Sequence, residues 1–228
     1  MRAEVLAVLP HDTSAFTQGL EVSGDVLYEG TGLEGQSSMR ALDPLTAQVE
    51  KKVDLPPEMF GEGVTVAGEK IWQITWKNGV AIQRDKATLA EVKRVPYTGE
   101  GWGLCLDGQR LVMSDGSDKL TFRDPETFDV LGEVRVHDGE TPVDQLNELE
   151  CTPGGVYANI WQTDTMVRID LSSGQVNARI NLAGLLTPEE RANADVLNGV
   201  AAIPGTDEFL VTGKLWPKIF RVKFVTAQ

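Results

Sequence analysis

Short stretches in which apolar and polar residues alternate recur along this chain, each bounded by Gly, Asp, Pro or Ser. Leu20-Glu21-Val22-Ser23 and Leu104-Cys105-Leu106-Asp107 are examples. A period of two over a few residues, closed by turn formers, predicts β-strands with one face toward a core. Five segments share one order: a Gly- or Glu-containing turn, a short alternating strand, a second turn and a more apolar strand. They begin at Gly19, Gly63, Gly103, Glu148 and Gly199, spaced by 44, 40, 45 and 51 residues. Repeats of about 40–45 residues with several strands each predict the blades of a β-propeller. The longest spacing holds Leu185-Leu186-Thr187-Pro188-Glu189-Glu190-Arg191, which predicts a helical insertion capped by Thr187 with Pro188 at its first position.

Each copy continues into a third and a fourth strand. In the first copy these are Ser38–Leu42 and Ala47–Val53, joined by Asp43-Pro44-Leu45-Thr46, and similar turns recur at Asp124-Pro125-Glu126-Thr127 and Asp170-Leu171-Ser172-Ser173. The fifth copy ends after its third strand, Ile219–Phe224. Ala3–Leu9, at the other end of the chain, can supply the missing outer strand. Closing a ring this way removes an open sheet edge. The expectation is an all-β, five-bladed β-propeller forming one domain over 1–228, with the ring closed by the N-terminal strand joining the last blade. A β-sandwich also uses short strands, but lacks the five-fold register and the complementary ends.

Composition narrows the function. With 21 Lys and Arg against 34 Asp and Glu, the net charge of −13 repels phosphate backbones and anionic membranes, so neither nucleic acid nor membrane is an expected partner. The chain is expected to act as a monomer, in the cytoplasm or, had an export signal been removed, in the periplasm or outside the cell. Cys105 and Cys151 are too few for a disulfide framework and have no metal-ligand spacing, so both read as small buried hydrophobes, with a single bridge between them as the less favoured alternative. His11 and His137 lie far apart, which gives no support to a His-based triad or a zinc site.

In a propeller, residues just before the first strand of each blade meet residues at the end of the second. The uncommon residues of this chain occupy those places: Phe16 and Gln18, Glu62, Trp102, Asn147 and Asn198 before first strands, and Trp76, Trp161 and Lys214 at the ends of second strands. Three of the five Trp residues thereby converge with a carboxylate, amides and an ammonium. An apolar concavity with a few polar groups is the default form of a binding site. Recurring glycines follow from blade geometry alone, whereas Glu62, Asn147 and Lys214 do not.

These residues also carry a resemblance. Phe16-Thr17-Gln18-Gly19-Leu20, Phe60-Gly61-Glu62-Gly63, Asn147-Glu148-Leu149-Glu150, Ala158-Asn159-Ile160-Trp161, Leu197-Asn198-Gly199 and Thr212-Gly213-Lys214-Leu215-Trp216-Pro217 resemble, in order, the motifs of the glutamine cyclotransferases. The resemblance implies a five-bladed propeller and an acyltransferase that converts N-terminal glutamine of peptides or proteins to pyroglutamate with release of ammonia, using no cofactor and no metal. It implies that Glu62 is the acid/base, with Lys214 and Asn147 as catalytic partners. Phe16, Gln18, Trp76, Trp102 and Trp161 are then pocket residues. Gly30 and Glu34 depart from the pattern, which has Ser and commonly Tyr there, in a loop expected at the tunnel face. Two other functions fit an aromatic-lined propeller: a non-catalytic peptide- or sugar-binding module, and a calcium-dependent lactonase-like hydrolase drawing oxygen ligands from Glu62, Asn147 and Asn198.

Overall fold

The alternating stretches form strands throughout. The computed structural model describes residues 1–227, which hold twenty-two strands and one short helix. The N-terminal strand is β1 (Arg2–Pro10). A four-stranded antiparallel sheet follows, of β2 (Thr17–Ser23), β3 (Val26–Thr31), β4 (Ser38–Leu42) and β5 (Val49–Asp54). The next comprises β6 (Gly61–Ala67), β7 (Lys70–Thr75), β8 (Val80–Asp85) and β9 (Glu91–Pro96). A third has β10 (Leu104–Leu106), β11 (Leu111–Ser114), β12 (Lys119–Arg123) and β13 (Val130–Arg135). The small hairpin β14 (His137–Asp138) and β15 (Thr141–Pro142) had no signature in the sequence pattern.

Then come β16 (Leu146–Thr152), β17 (Gly155–Ile160), β18 (Thr165–Ile169), β19 (Val176–Asn181), helix α1 (Pro188–Arg191), β20 (Leu197–Ala202), β21 (Glu208–Gly213) and β22 (Lys218–Val225). With β1 these strands share an eight-stranded sheet in the order β16-β17-β18-β19-β1-β22-β21-β20. Strand β1 runs antiparallel along β22 from Arg2↔Val225 to Pro10↔Lys218, but meets β19 only at the parallel pair Arg2↔Asn181. The expected pairing of the two ends of the chain is therefore present. So is the insertion: the Thr187 side chain accepts from Glu190 N–H, the Glu190 side chain returns to Thr187 N–H, and Pro188 opens the helix.

In the three four-stranded sheets the first strand is largely buried and the fourth largely exposed. Gly61–Val66 of β6 are all buried, whereas β5 and β9 are almost wholly exposed. Apolar side chains of neighbouring sheets share each core cluster. Met39 and Tyr28 pack with Val64 and Ile71; Trp72 and Ile74 pack with Leu104 and Leu111. The first strands contact one another in a closed cycle, β2 to β6, β6 to β10, β10 to β16, β16 to β20, and β20 back to β2. Their backbones come so close that a Cβ on Gly63 would stand 2.6 Å from Leu104 N, and one on Gly103 would stand 2.1 Å from Asn147 O. Only glycine permits that approach.

Glu148 stands where the other first strands carry glycine. Its two carboxylate oxygens accept Leu20 N–H at 3.1 Å and Val200 N–H at 2.8 Å, tying β16 to β2 and β20.

The turns between third and fourth strands share one device. Asp43, Asp85, Asp124 and Asp170 each accept backbone N–H groups two or three residues on. The Asp85 copy, with Lys86 and Ala87 in place of Pro, had escaped the sequence pattern.

One expectation is corrected. Cys105 and Cys151 form a disulfide across β10 and β16, with Cα atoms 5.4 Å apart. Cysteine count carries no distance, and only the cyclic packing of first strands brings two residues 46 apart in sequence within bridging range. Loop-closure entropy alone assigns such a bridge about 4 kcal/mol.

Candidate active site

Four of the first strands begin with a register shift at the same place: between Thr17 and Gly19, Gly61 and Val64, Leu146 and Leu149, and Leu197 and Val200. Extra residues of this kind re-aim a side chain out of the ladder. Gln18, Glu62, Asn147 and Asn198 lie in these shifts, and all are buried. In the third sheet pairing starts only at Leu104, and Trp102 takes the equivalent place.

A repeated hydrogen bond delivers the second half of the site. Gly32 N–H donates to Phe16 O, Trp76 N–H to Phe60 O, Trp161 N–H to Gln145 O and Lys214 N–H to Val196 O, all between 2.8 and 3.0 Å. Each bond staples the end of a second strand to the residue before a first strand, which is why residues distant in sequence share one mouth. The residue after the staple turns left-handed at Leu33, Gln162 and Leu215, with φ of 80°, 63° and 59°. Non-glycine residues adopt this conformation at some cost, and such strain clusters at functional sites.

The result is a cavity of about 390 Å³. It brings together all eight residues expected from the sequence: Glu62, Lys214 and Asn147 with Phe16, Gln18, Trp76, Trp102 and Trp161. Phe16 and Phe60 meet edge to face at 6.0 Å, Phe60 leans on Trp76 at 5.4 Å, and Trp102 meets Trp161 at 5.5 Å. These rings make the wall apolar. A larger cavity of about 550 Å³ lies between Thr152–Gly154 and Ala202–Asp207 and contains none of the eight.

Glu62 is 4% exposed, and one oxygen accepts a hydrogen bond from Gln18 Nε2 at 3.0 Å. Burial pushes its carboxyl well above the usual carboxylate range; the charge of Lys214 partly opposes this and that of Glu100 adds to it. Gln18 is also held at its other end, where its Oε1 accepts from Asn198 Nδ2 at 3.1 Å. Lys214 is also buried, its Nζ 4.8 Å from the Phe16 ring centre; burial lowers its pKa, while Glu62 and Asp195 act to raise it. The Asn147 Oδ1 is buried with no hydrogen-bond partner. An acceptor left open in a cavity wall is costly unless a ligand fills it.

Some lining residues carried no sequence expectation. Phe60 stood beside Glu62 in its motif, so adjacency could have found it. Gln162, Asp195 and Val196 also line the cavity, and the exposed Asp195 follows the helical insertion, where nothing in the repeat points to it. Glu100 lies behind the wall. One of its oxygens accepts from Trp76 Nε1 at 2.7 Å and Trp102 Nε1 at 3.0 Å. The Gly30–Ser38 segment, expected at the tunnel face, does not line the cavity: Gly30 packs against Val64 and the Glu62 carbonyl, and Gly32 seats the Phe60 ring. Among the described residues no group of three or more His, Cys, Asp or Glu is arranged to hold a metal ion, and no helix is long and apolar enough to cross a membrane.

Comparison with known proteins agrees with this geometry. Residues 1–224 match the family described as glutamine cyclotransferase. The chain is 40% identical to the glutaminyl-peptide cyclotransferase of Arabidopsis thaliana over 230 residues, which covers 98% of this chain and 72% of that protein. Among solved structures it is similar to Myxococcus xanthus glutaminyl cyclase, with a TM-score of 0.89, 37% identity, and coverage of 100% of this chain and 98% of that one. The β-propeller domain of Myceliophteria thermophila Cps50 (Swd1) superimposes with a TM-score of 0.58 at 9% identity, over 98% of this chain and 100% of that one, a likeness of fold alone.

Proposed function

Because this chain belongs to the glutamine cyclotransferase family, we propose that the cavity around Glu62 is where an N-terminal glutamine is closed to pyroglutamate, with Glu62 carrying the proton. The chain acts as a glutaminyl-peptide cyclotransferase, on peptides and proteins that begin with glutamine. Treating the eight-stranded sheet as two four-stranded sets that touch at Arg2↔Asn181 gives five blades in one domain spanning 1–228, consistent with the closed cycle of first strands.

The substrate α-amine attacks its own γ-carboxamide carbon. A C–N bond forms, the bond to the amide nitrogen breaks, and ammonia leaves, so the acyl group passes from one nitrogen to another. The attacking nitrogen sheds a proton and the departing nitrogen gains one, so a single carboxyl between them can serve both steps. An α-amine with a pKa near 7.7–8.0 is partly neutral at physiological pH. Holding the side chain curled inside the cavity supplies much of the rate, since both reacting groups belong to one molecule.

The observation that carries the proposal is the state of Glu62: buried among aromatic rings, held by one neutral amide donor, its pKa pushed upward by burial. A carboxyl raised toward the working pH is suited to accept and return a proton. With Gln18 held by Glu62 and Asn198, the donors assigned to the carbonyl oxygen as it becomes an oxyanion are Lys214 and the Asn147 amide. The Asn147 Oδ1 is assigned to an N–H of the substrate.

The reaction is proposed to need no metal. A calcium-dependent hydrolase would draw on Glu62, Asn147 and Asn198, but Lys214 shares the cavity and repels a cation, and an amide N–H rather than an oxygen faces Glu62. Turnover is expected to persist in excess chelator. Glu62→Gln keeps shape and removes the titrating group, so ammonia release from a glutaminyl peptide is expected to fall to background while thermal unfolding stays unchanged. Near wild-type turnover by that variant would falsify the shuttle.

A further inference from the structure

The indole wall is held from behind by one side chain. Trp76 comes from the end of β7 and Trp102 from the segment before β10, two different sheets. Their backbones are joined by Gly101 N–H donating to Trp76 O at 3.0 Å. Their side chains are joined through Glu100, whose Oε2 accepts both indole N–H groups, while Lys77 Nζ lies 3.6 Å from its Oε1 and 4.0 Å from the centre of the Trp76 ring. Burial alone would raise the Glu100 pKa, but the two indole donors and Lys77 outweigh it and hold the group below its ordinary value. It is therefore ionised at neutral pH, and hydrogen bonds to an ionised acceptor are stronger than neutral ones.

We propose that Glu100 is a positioning residue that sets the width of the glutamine cavity by clamping Trp76 and Trp102 through one carboxylate oxygen. The proposal rests on the assignment of this cavity as the site of cyclisation. A buried or half-buried indole N–H needs a partner, and without one the ring rotates to find water. Trp102 also packs against Gly116, where a Cβ would come within 2.6 Å of the ring. Trp161 stands edge-on to Trp102, at 80° between planes, so releasing Trp102 also releases the third indole. The walls embrace the aliphatic part of the substrate in the ground state as well as in the transition state. Loss of the clamp therefore weakens binding, and leaves Glu62, Asn147 and Lys214 in place for what does bind.

The test is steady-state cyclisation of a glutaminyl peptide by Glu100→Ala and Glu100→Gln, with the tryptophan indole N–H resonances of each variant recorded by NMR. Because the Glu100 charge also raises the Glu62 pKa, each variant is compared at its own pH optimum, where Glu100→Ala is expected to raise KM at least about tenfold and to change kcat by less than about threefold. Three of the five indole resonances should shift in that variant, those of Trp76 and Trp102 directly and that of Trp161 through its contact with Trp102. Glu100→Gln keeps a neutral acceptor in the same place and is expected to restore KM to within about threefold of wild type. The proposal is overturned if Glu100→Ala leaves KM within about twofold, if kcat alone falls, if the indole resonances do not move, or if Glu100→Gln is as impaired as Glu100→Ala. Glu62→Gln separates the two assignments: it should lose turnover with the Trp76 and Trp102 resonances unmoved, and retained turnover would overturn the site while leaving the clamp measurable in the resonances.

Discussion

Two buried carboxylates, Glu62 and Glu29, receive hydrogen bonds from consecutive residues of β2. Gln18 donates to Glu62 at 3.0 Å, and Thr17 donates to Glu29 at 2.7 Å. Beyond that their surroundings diverge. The oxygen of Glu29 that accepts from Thr17 also lies 2.8 Å from His11 Nε2, and Arg40 approaches the other at 3.7 Å. His11 Nδ1 lies 2.8 Å from Trp216 O. Both ring nitrogens face acceptors, an arrangement that favours the imidazolium and raises the His11 pKa. Burial would raise the Glu29 pKa, but His11, Arg40 and Thr17 outweigh it and hold the group low. Glu62 has no such cation in contact, and burial wins. A carboxylate paired with His11 and facing Arg40 is a structural tie; one left with a single neutral donor is available to move protons.

The contrast can be broken at either end. The largest effect is expected at Glu62, where Gln should cost on the order of 10²–10⁴ in kcat with no loss of stability. Next comes Glu29→Gln, which leaves a buried imidazolium unpaired. It is expected to destabilise by about 3 kcal/mol, read as a lower urea midpoint, while activity per folded molecule stays near wild type. If Glu29→Gln instead lost activity with its urea midpoint unchanged, the division of labour between the two groups would be wrong.

The pH dependence of stability sharpens the same contrast. Burial lowers the His11 pKa, but the charge and hydrogen bond of Glu29 and the Trp216 carbonyl outweigh it, and the net shift is upward from 6.5. Its contribution is therefore complete below pH 6.5 and lost as pH rises through the higher folded value. The depressed Glu29 contributes above its unfolded pKa and loses that contribution as pH falls through its folded value. Urea midpoints against pH should decline on both sides, and His11→Phe should flatten the alkaline side. The smallest effect is expected at Lys214. Burial lowers its pKa, so activity that needs the ammonium should fade at alkaline pH. Lys214→Arg should push that limb of the kcat/KM profile upward, because guanidinium does not deprotonate in the accessible range.

Much of the fold was legible because blades repeat: a strand-length period and a turn signature, copied along the chain, expose themselves by self-similarity. Every residue expected in the cavity came from that register together with the family motifs. What escaped was whatever the repeat does not encode. The Cys105–Cys151 bridge depends on which first strands are neighbours around the ring. The His11–Glu29 pair joins the N-terminal segment to the first sheet and, through Trp216, to the segment before β22, so no local pattern announces it. Glu100 is an acid in a Gly-rich turn and reads as solvated until the two indoles are seen to point at it.

The pairing of β1 with β22 also imposes an order on synthesis. Strand β1 is made long before its partner β22, with which it pairs from Arg2↔Val225 onward. At roughly 5–20 residues per second, β1 waits on the order of 10–40 s. Throughout that interval Val5, Leu6 and Val8 lie on a strand without a sheet. The ring can latch only once β22 has cleared the exit tunnel, so until then β1 presents an unpaired strand edge to whatever chaperone meets it.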